Sequence, residues 1–266
     1  MGFFASTGIL NQRGFFSAPL SAAPPAFSPT DIAGLKLWLK ADAGVTESGG
    51  SVTSWADQSG QGNNATASGT PTLVTNSLNG KSGISLDGEG TDDGFLTTAV
   101  LSLAYNTPVT LFGVVKASAS DVRGDQPSAR WFMNKGGFQD FGIGFTFGAY
   151  FGDLDFAGMI GSIAESDVNF IGDSLGENQA NIASLTNDGS NVTFYQNGTQ
   201  KATASNSTYS YTSSSNNGFS IGYQSAAVDE FYCKCIVYEL LIYNSSLSTA
   251  NRQSVESYLN GRYAIY

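Results

Sequence analysis

Carboxylates are the groups best placed to do chemistry in this chain, because it contains no histidine. Serine–histidine–aspartate and cysteine–histidine nucleophiles are excluded, and so are zinc or iron sites built on imidazole. Two runs, Glu165-Ser166-Asp167 and Asp153-Leu154-Asp155, set acidic side chains at i and i+2. On a strand such a pair shares one face, and two carboxyls about 5 Å apart across a sugar can hydrolyse a glycosidic bond with retention. The first run continues to Asn169 and Phe170, without another carboxylate. The second has no strand pattern around it and reads as a solvated turn.

Two other chemistries are open. In Asp57-Gln-Ser-Gly-Gln-Gly-Asn-Asn64, carboxylate, hydroxyl and amide oxygens stand on a tight glycine loop. Asp57 and Asn63 could ligate calcium, a hard cation that takes several oxygens; the same residues equally describe an Asx-turn in which Asp57 binds its own loop backbone. The loop is not an EF-hand, since Ser68 stands where the bidentate glutamate would be. No cofactor beyond this possible calcium is expected. The second chemistry is sugar recognition by aromatic stacking with amide or carboxylate hydrogen bonds. Residues 149–177 lose all periodicity in glycine-rich sequence and read as a long irregular loop, the kind of segment that carries binding residues on a rigid scaffold. It offers Tyr150 with Asp153; the polar segment 205–217 offers Tyr209, Tyr211 and Asn216.

Short strands must position these groups. Leu35-Lys-Leu-Trp-Leu-Lys40 alternates cleanly, a glycine turn follows at 48–50, and strands are expected through Val52 and Trp55, near Leu73, and at 84–86, 95–98, 109–116, 130–133 and 141–147. Glycines 142, 144 and 148 thin one face of the last of these, which marks a bulge or strong curvature more readily than a ligand's approach. Strands resume at 182–186 and 192–196, where Asn197-Gly198 predicts a two-residue type I′ hairpin into 200–204. A strand at 218–223 leads to the most informative stretch. Residues 235–243 put Ile236, Tyr238, Leu240 and Ile242 on one face and Cys235, Val237, Leu241 and Tyr243 on the other, so both faces must be covered. The period then becomes helical: Ser248 is the N-cap, Val255, Tyr258 and Leu259 form one stripe, and Gly261 closes a helix that ends near Asn260. Cys233 and Cys235, two apart on one strand, are expected to be buried free thiols.

Glu239-Leu-Leu-Ile-Tyr243-Asn244 with Leu247-Ser248, Tyr258-Leu259 and Arg262-Tyr263 resembles the closing signature of concanavalin A-like, laminin G-like jelly-roll domains. Leu37-Trp38-Leu39 with Ala41-Asp42, Trp55-Ala-Asp57-Gln-Ser59-Gly60-Gln-Gly62-Asn63, Asn79-Gly80 with Leu86-Asp87-Gly88, and Phe194-Tyr195-Gln-Asn197-Gly198 fall in that family's order. The resemblance covers about residues 33–266. It implies an all-β, two-sheet antiparallel sandwich with one short C-terminal helix, most often a binder of glycans or proteins, and does not itself decide function. The superfamily's glucanases place Glu, Asp and Glu, the last as acid/base, at alternate positions, or with one extra residue before the last; this chain has Asn169 and Phe170 where that second glutamate would stand, so it is expected not to be an enzyme. The resemblance also implies that the Asp57 motif is structural and that Glu239 is held by a structural hydrogen bond.

Residues 1–30 differ from the sandwich expected at 31–266. Gly-Phe-Phe occurs at 2–4 and again at 14–16, and four of the seven prolines fall between 19 and 29. Phe3, Phe4, Phe15 and Phe16 read as anchors on an extended arm that docks on a partner. A net charge of −10 with only 12 Lys plus Arg argues against nucleic-acid binding. No apolar run is long enough to span a membrane, and residues 1–20 make a poor secretory signal. These features suit a virion surface protein, such as a phage head decoration or fibre-tip subunit. Its partners would be other virion proteins, reached through the arm, with glycans on the sandwich and copies of itself in a homo-oligomer. The alternative is a bacterial adhesion or carbohydrate-binding module at the cell surface or outside the cell, and behind it a glycoside hydrolase of the same fold.

Overall fold

Alternation in the sequence becomes alternation in burial: Leu35, Leu37 and Leu39 are buried while Lys36, Trp38 and Lys40 are half-exposed. A computed structural model describes residues 26–87, 94–97, 107–117, 129–134, 142–148, 155–161, 169–174, 179–205, 219–222 and 234–266. In chain order the strands are β1 (Leu35–Lys40), β2 (Val45–Ser48), β3 (Ser51–Trp55), β4 (Ala65–Ser68), β5 (Thr72–Leu78), β6 (Lys81–Asp87), β7 (Gly94–Thr97), β8 (Val109–Ala117) and β9 (Ala129–Asn134). There follow β10 (Gly142–Gly148), β11 (Asp155–Gly161), β12 (Asn169–Ser174), β13 (Ala180–Asn187), β14 (Asn191–Gln196), β15 (Thr199–Ser205), β16 (Phe219–Ile221) and β17 (Lys234–Tyr243), then helix α1 (Thr249–Tyr263).

Two antiparallel sheets result. One has the order β15-β14-β13-β8-β17-β6-β5, with β1 added to β17; the other runs β12-β11-β10-β9-β16-β7-β4-β3-β2. The all-β sandwich with one C-terminal helix is as the sequence predicts. Strand β17 is central: Cys235 to Tyr243 pair with β8 along one edge, while the other edge is shared by β6 against Lys234–Val237 and β1 against Glu239–Tyr243. Between the sheets lies a core that includes Leu37, Trp55, Phe95, Leu111, Phe145, Phe194, Leu240 and Ile242. A second apolar layer, with Phe112, Val114, Tyr238, Leu241 and Tyr243, faces Val255, Leu259 and Tyr263 of α1 on the outer side of the eight-stranded sheet. Both faces of β17 are covered, and Cys235 is a buried free thiol.

Three expectations are corrected. A bulge in β17 between Val237 and Glu239, where Val115 faces Val237 and Val114 faces Glu239, shifts the alternation by one residue. Cys235, Val237, Leu240 and Ile242 therefore line the inter-sheet core, and Tyr238, Leu241 and Tyr243 the helix side. Helix α1 runs three residues past Asn260, with Gly261 inside it and Ala264 in the left-handed position at φ 52°. The Asn260 side chain explains this, since its Oδ1 accepts from the N–H groups of Ile265 and Tyr266, both at 2.9 Å. Within 149–177, β11 and β12 occupy much of what reads as irregular loop, and Asp155 opens β11 opposite Ser174 and Gly148. Pairing of β11 with β10, and of β12 with β11, forms strands there that glycine-rich local propensity does not announce.

Other features are as read. Asn197 (φ 50°) and Gly198 (φ 76°) make the tight turn between β14 and β15. A register shift between β10 and β9 at Phe145/Thr146 accompanies the glycine run. Ser248 caps α1, its Oγ accepting from Asn251 N–H at 3.3 Å. Contacts with the sandwich begin before residue 31: Phe27 meets Tyr258 edge-on with centroids 6.3 Å apart, and the Tyr243 hydroxyl donates to the Pro29 carbonyl at 2.9 Å.

Candidate functional site

The Asp57 loop joins β3 to β4 and lies along the free edge of β1. Asp57 Oδ1 accepts from Trp38 N–H and Ser59 N–H, both at 2.9 Å, and Oδ2 from Ser59 Oγ at 2.7 Å and Asn63 N–H at 2.9 Å. Asn63 turns its amide donor inward to the Lys36 carbonyl at 2.6 Å, and Gln58 N–H reaches the Trp38 carbonyl at 2.7 Å. The loop thus supplies the partners that a neighbouring strand would give to Lys36 and Trp38. Both oxygens of Asp57 are engaged by N–H and O–H donors. Among the described residues, no group of three or more acidic or cysteine side chains stands close enough to hold a metal ion.

The bulge in β17 turns Glu239 toward the helix, fully buried. Its Oε1 accepts from Trp38 Nε1 at 2.6 Å and Tyr258 OH at 3.0 Å; its Oε2 accepts from Tyr263 OH at 2.8 Å and Arg262 Nε at 3.1 Å. Arg262 Nη2 also grips both oxygens of Asp42, at 2.8 and 3.0 Å. Burial, with the Glu239 charge second, raises the phenols of Tyr258 and Tyr263 above their ordinary range. Burial alone would lower the Arg262 pKa, but Glu239, the two phenols and Asp42 together outweigh it and hold the guanidinium firmly charged. Four donors converge on this carboxylate in a site closed to solvent, an arrangement suited to fastening a helix and not to receiving a substrate.

This network is what sequence reasoning missed, and its signal was present. Trp38, Asp42, Glu239, Tyr258, Arg262 and Tyr263 come from separate motifs of the family resemblance, and the fold gathers them at one point. A second fastening lies in the first half of α1: Arg252 sits 3.6 Å over the Tyr195 ring and binds Glu256 at 2.5 Å, which accepts from Ser184 Oγ at 2.6 Å.

The sugar-contact candidates Tyr150, Asp153, Tyr209, Tyr211 and Asn216 lie outside the described residues, as do Glu165, Asp167 and the arm residues Phe3, Phe4, Phe15 and Phe16. Strand register fixes where the binding segments attach. Segment 149–154 joins β10 to β11 at the end where Gly148 faces Asp155. Ala129 faces Phe147 and Met133 faces Gly144, so Phe219, opposite Asn134, enters β16 at the other end of the sheet. The chain thus leaves β10 at one end of the nine-stranded sheet and enters β16 at the other.

These observations define an antiparallel two-sheet sandwich braced by a helix on one outer face. No family model matches the chain, and no curated protein matches it in sequence. Among solved structures it is similar to the binding domain of Paraclostridial Mosquitocidal Protein 1, at TM-score 0.60 and 15% identity over 88% of this chain and 54% of that one. It is also similar to Trypanosoma rangeli sialidase in complex with sialic acid, at TM-score 0.61 and 16% identity over 85% of this chain and 33% of that one. Domain 4 of AbnA, a GH43 extracellular arabinanase from Geobacillus stearothermophilus in complex with arabinotriose, matches at TM-score 0.59 and 16% identity, over 82% of this chain and 96% of that one. The likeness in each case is one of fold. The chain spans about half of the first structure and a third of the second, but nearly all of the third.

Proposed function

We propose that this chain is a non-enzymatic glycan-binding head on the surface of a virus particle, a phage head decoration or fibre-tip subunit, anchored through residues 1–30. The observation that carries the binding reading is the fold shared with Domain 4 of AbnA, a domain of nearly the same extent seen with arabinotriose. The absence of histidine and of a completed carboxylate set supports a binder over a hydrolase. The placement on a particle rests on the two Gly-Phe-Phe anchors and the proline-rich spacer. A bacterial adhesion or carbohydrate-binding module is the second reading, favoured by the fact that AbnA is itself an extracellular enzyme carrying such a domain.

A glycan array probed with the full chain tests the binding half, with arabinan and sialylated oligosaccharides included. Binding that Tyr209→Ala and Tyr211→Ala abolish assigns it to segment 205–217, and binding that Tyr150→Ala abolishes assigns it to segment 149–177. No binding to any glycan overturns this half. Deletion of residues 1–25 spares Phe27 and the Pro29 contact, so the sandwich should stay folded while incorporation into its particle is lost. Incorporation at full occupancy overturns the other half.

A further inference from the structure

Three Asn-Gly pairs occur among the described residues, at 79–80, 197–198 and 260–261, and the fold treats them differently. Asparagine before glycine is the pair most prone to spontaneous deamidation, because the following amide nitrogen has no side chain beside it to hinder attack on the asparagine Cγ. Asn197 is tied in place: its Oδ1 accepts from Ile182 N–H at 2.9 Å, its Nδ2 donates to Asn181 Oδ1 at 2.9 Å, and its own N–H donates to the Ile182 carbonyl at 2.8 Å. Asn260 is helical, with its Oδ1 engaged by two backbone N–H groups. Asn79 and Gly80 are both exposed, with nothing within 4 Å of where a Gly80 Cβ would stand. Close to this turn the β5–β6 ladder breaks register between Val74 and Leu78, so that Leu78 opposite Lys81 is the rung next to it. Opening the turn therefore breaks little of the β5–β6 ladder.

We infer that Asn79 is a deamidation site, and that its conversion loosens the end of α1. In the reaction the Gly80 amide nitrogen gives up its proton to base and bonds to Asn79 Cγ, while the Cγ–Nδ2 bond of Asn79 breaks and ammonia leaves. Water then opens the resulting succinimide at either carbonyl, giving an aspartyl or an isoaspartyl residue. The amide that is lost has a task. Asn79 Nδ2 donates to the Arg262 carbonyl at 2.8 Å, satisfying one of the carbonyls at the C-terminal end of α1 that have no partner within the helix. A carboxylate cannot donate there, and it sets negative charge beside the negative end of the helix dipole. The disturbed residue is Arg262, which holds Glu239.

The test is to incubate the folded full-length protein at mildly alkaline pH and follow the three peptides by mass spectrometry with isoaspartate detection. The Asn79 peptide should be half converted before the other two change measurably. In denaturant, the three should convert at similar rates. Asn79→Asp should unfold at lower urea than the parent protein and than Asn79→Gln, which keeps a donor. Conversion of Asn197 or Asn260 as early as Asn79 in the folded protein overturns the site. Equal stability of Asn79→Asp and the parent overturns the consequence.

Discussion

Glu239 and Asp57 are carboxylates that each accept four hydrogen bonds, yet they hold the fold in different ways. Asp57 is half-buried and all its donors are neutral, three backbone N–H groups and one hydroxyl, within a loop that patches one strand edge. Glu239 is completely buried and binds a cation, two phenols and an indole that lie more than 200 residues apart in sequence at the extremes, Trp38 being separated from it by 201 positions. A carboxylate served by neutral local donors behaves as a turn, whereas one removed from water with a single cation becomes a keystone whose partners cannot be removed singly.

The largest effect should therefore come from Arg262→Met, which leaves Glu239 buried without its cation. A loss of about 3–5 kcal/mol is expected in urea unfolding, and a loss below that of Asp57→Ala would break the comparison. Next comes alkaline pH. Tyr243, Tyr258 and Tyr263 are raised above the ordinary phenol value of 10.0, in each case by burial first and then by a nearby carboxylate. Their stabilisation is present in full below that value and is lost as pH rises toward the folded values, so the urea midpoint should hold up to about pH 10 and fall above it. A flat profile would show those phenols to be reached by solvent.

Asp57→Ala should cost about 1–3 kcal/mol, because it strands the Trp38 and Asn63 N–H groups. The same loss is expected with and without a chelator. A chelator that destabilises the parent but not Asp57→Ala would put calcium in the loop. The smallest effect is at exposed Asp188, whose pKa is lowered below 3.8 by the N–H groups of Asn191 and Ser190. Its contribution is present above the unfolded-state pKa and is lost as pH falls through the folded one. Asp188→Asn should thus flatten a slight decline in stability below about pH 4.

The sandwich was legible because alternation survives in Leu35–Lys40 and in Val192–Gln196, because β17 is apolar on both faces, and because Asn197-Gly198 and Ser248 are local signals with local causes. What was not legible depends on residues far away. No sequence period reveals that β17 shifts phase at Tyr238, because the bulge is fixed by what β8 and α1 present to it. Gly261 looks like a helix stop until Asn260 is seen turning back on residues 265 and 266. Strands β11 and β12 each hold a single β-branched residue, Ile160 and Ile171, among glycine and acidic positions, and exist through pairing, β11 with β10 and β12 with β11. The Glu239 network was visible only as scattered motifs, since sequence order hides that Trp38, Arg262 and Tyr263 converge.

The central position of β17 also governs the order of assembly during synthesis. Strands β1, β6 and β8 are made long before residue 234, yet each takes β17 as a neighbour. Until it emerges, their edges are unpaired and their apolar side chains uncovered, a state prone to association with other nascent polypeptides. Contacts of such long sequence separation make folding slow. Fragments that stop short of residue 234 should accordingly be insoluble, and in the cell the domain should close late, as a single event, when its last strand arrives.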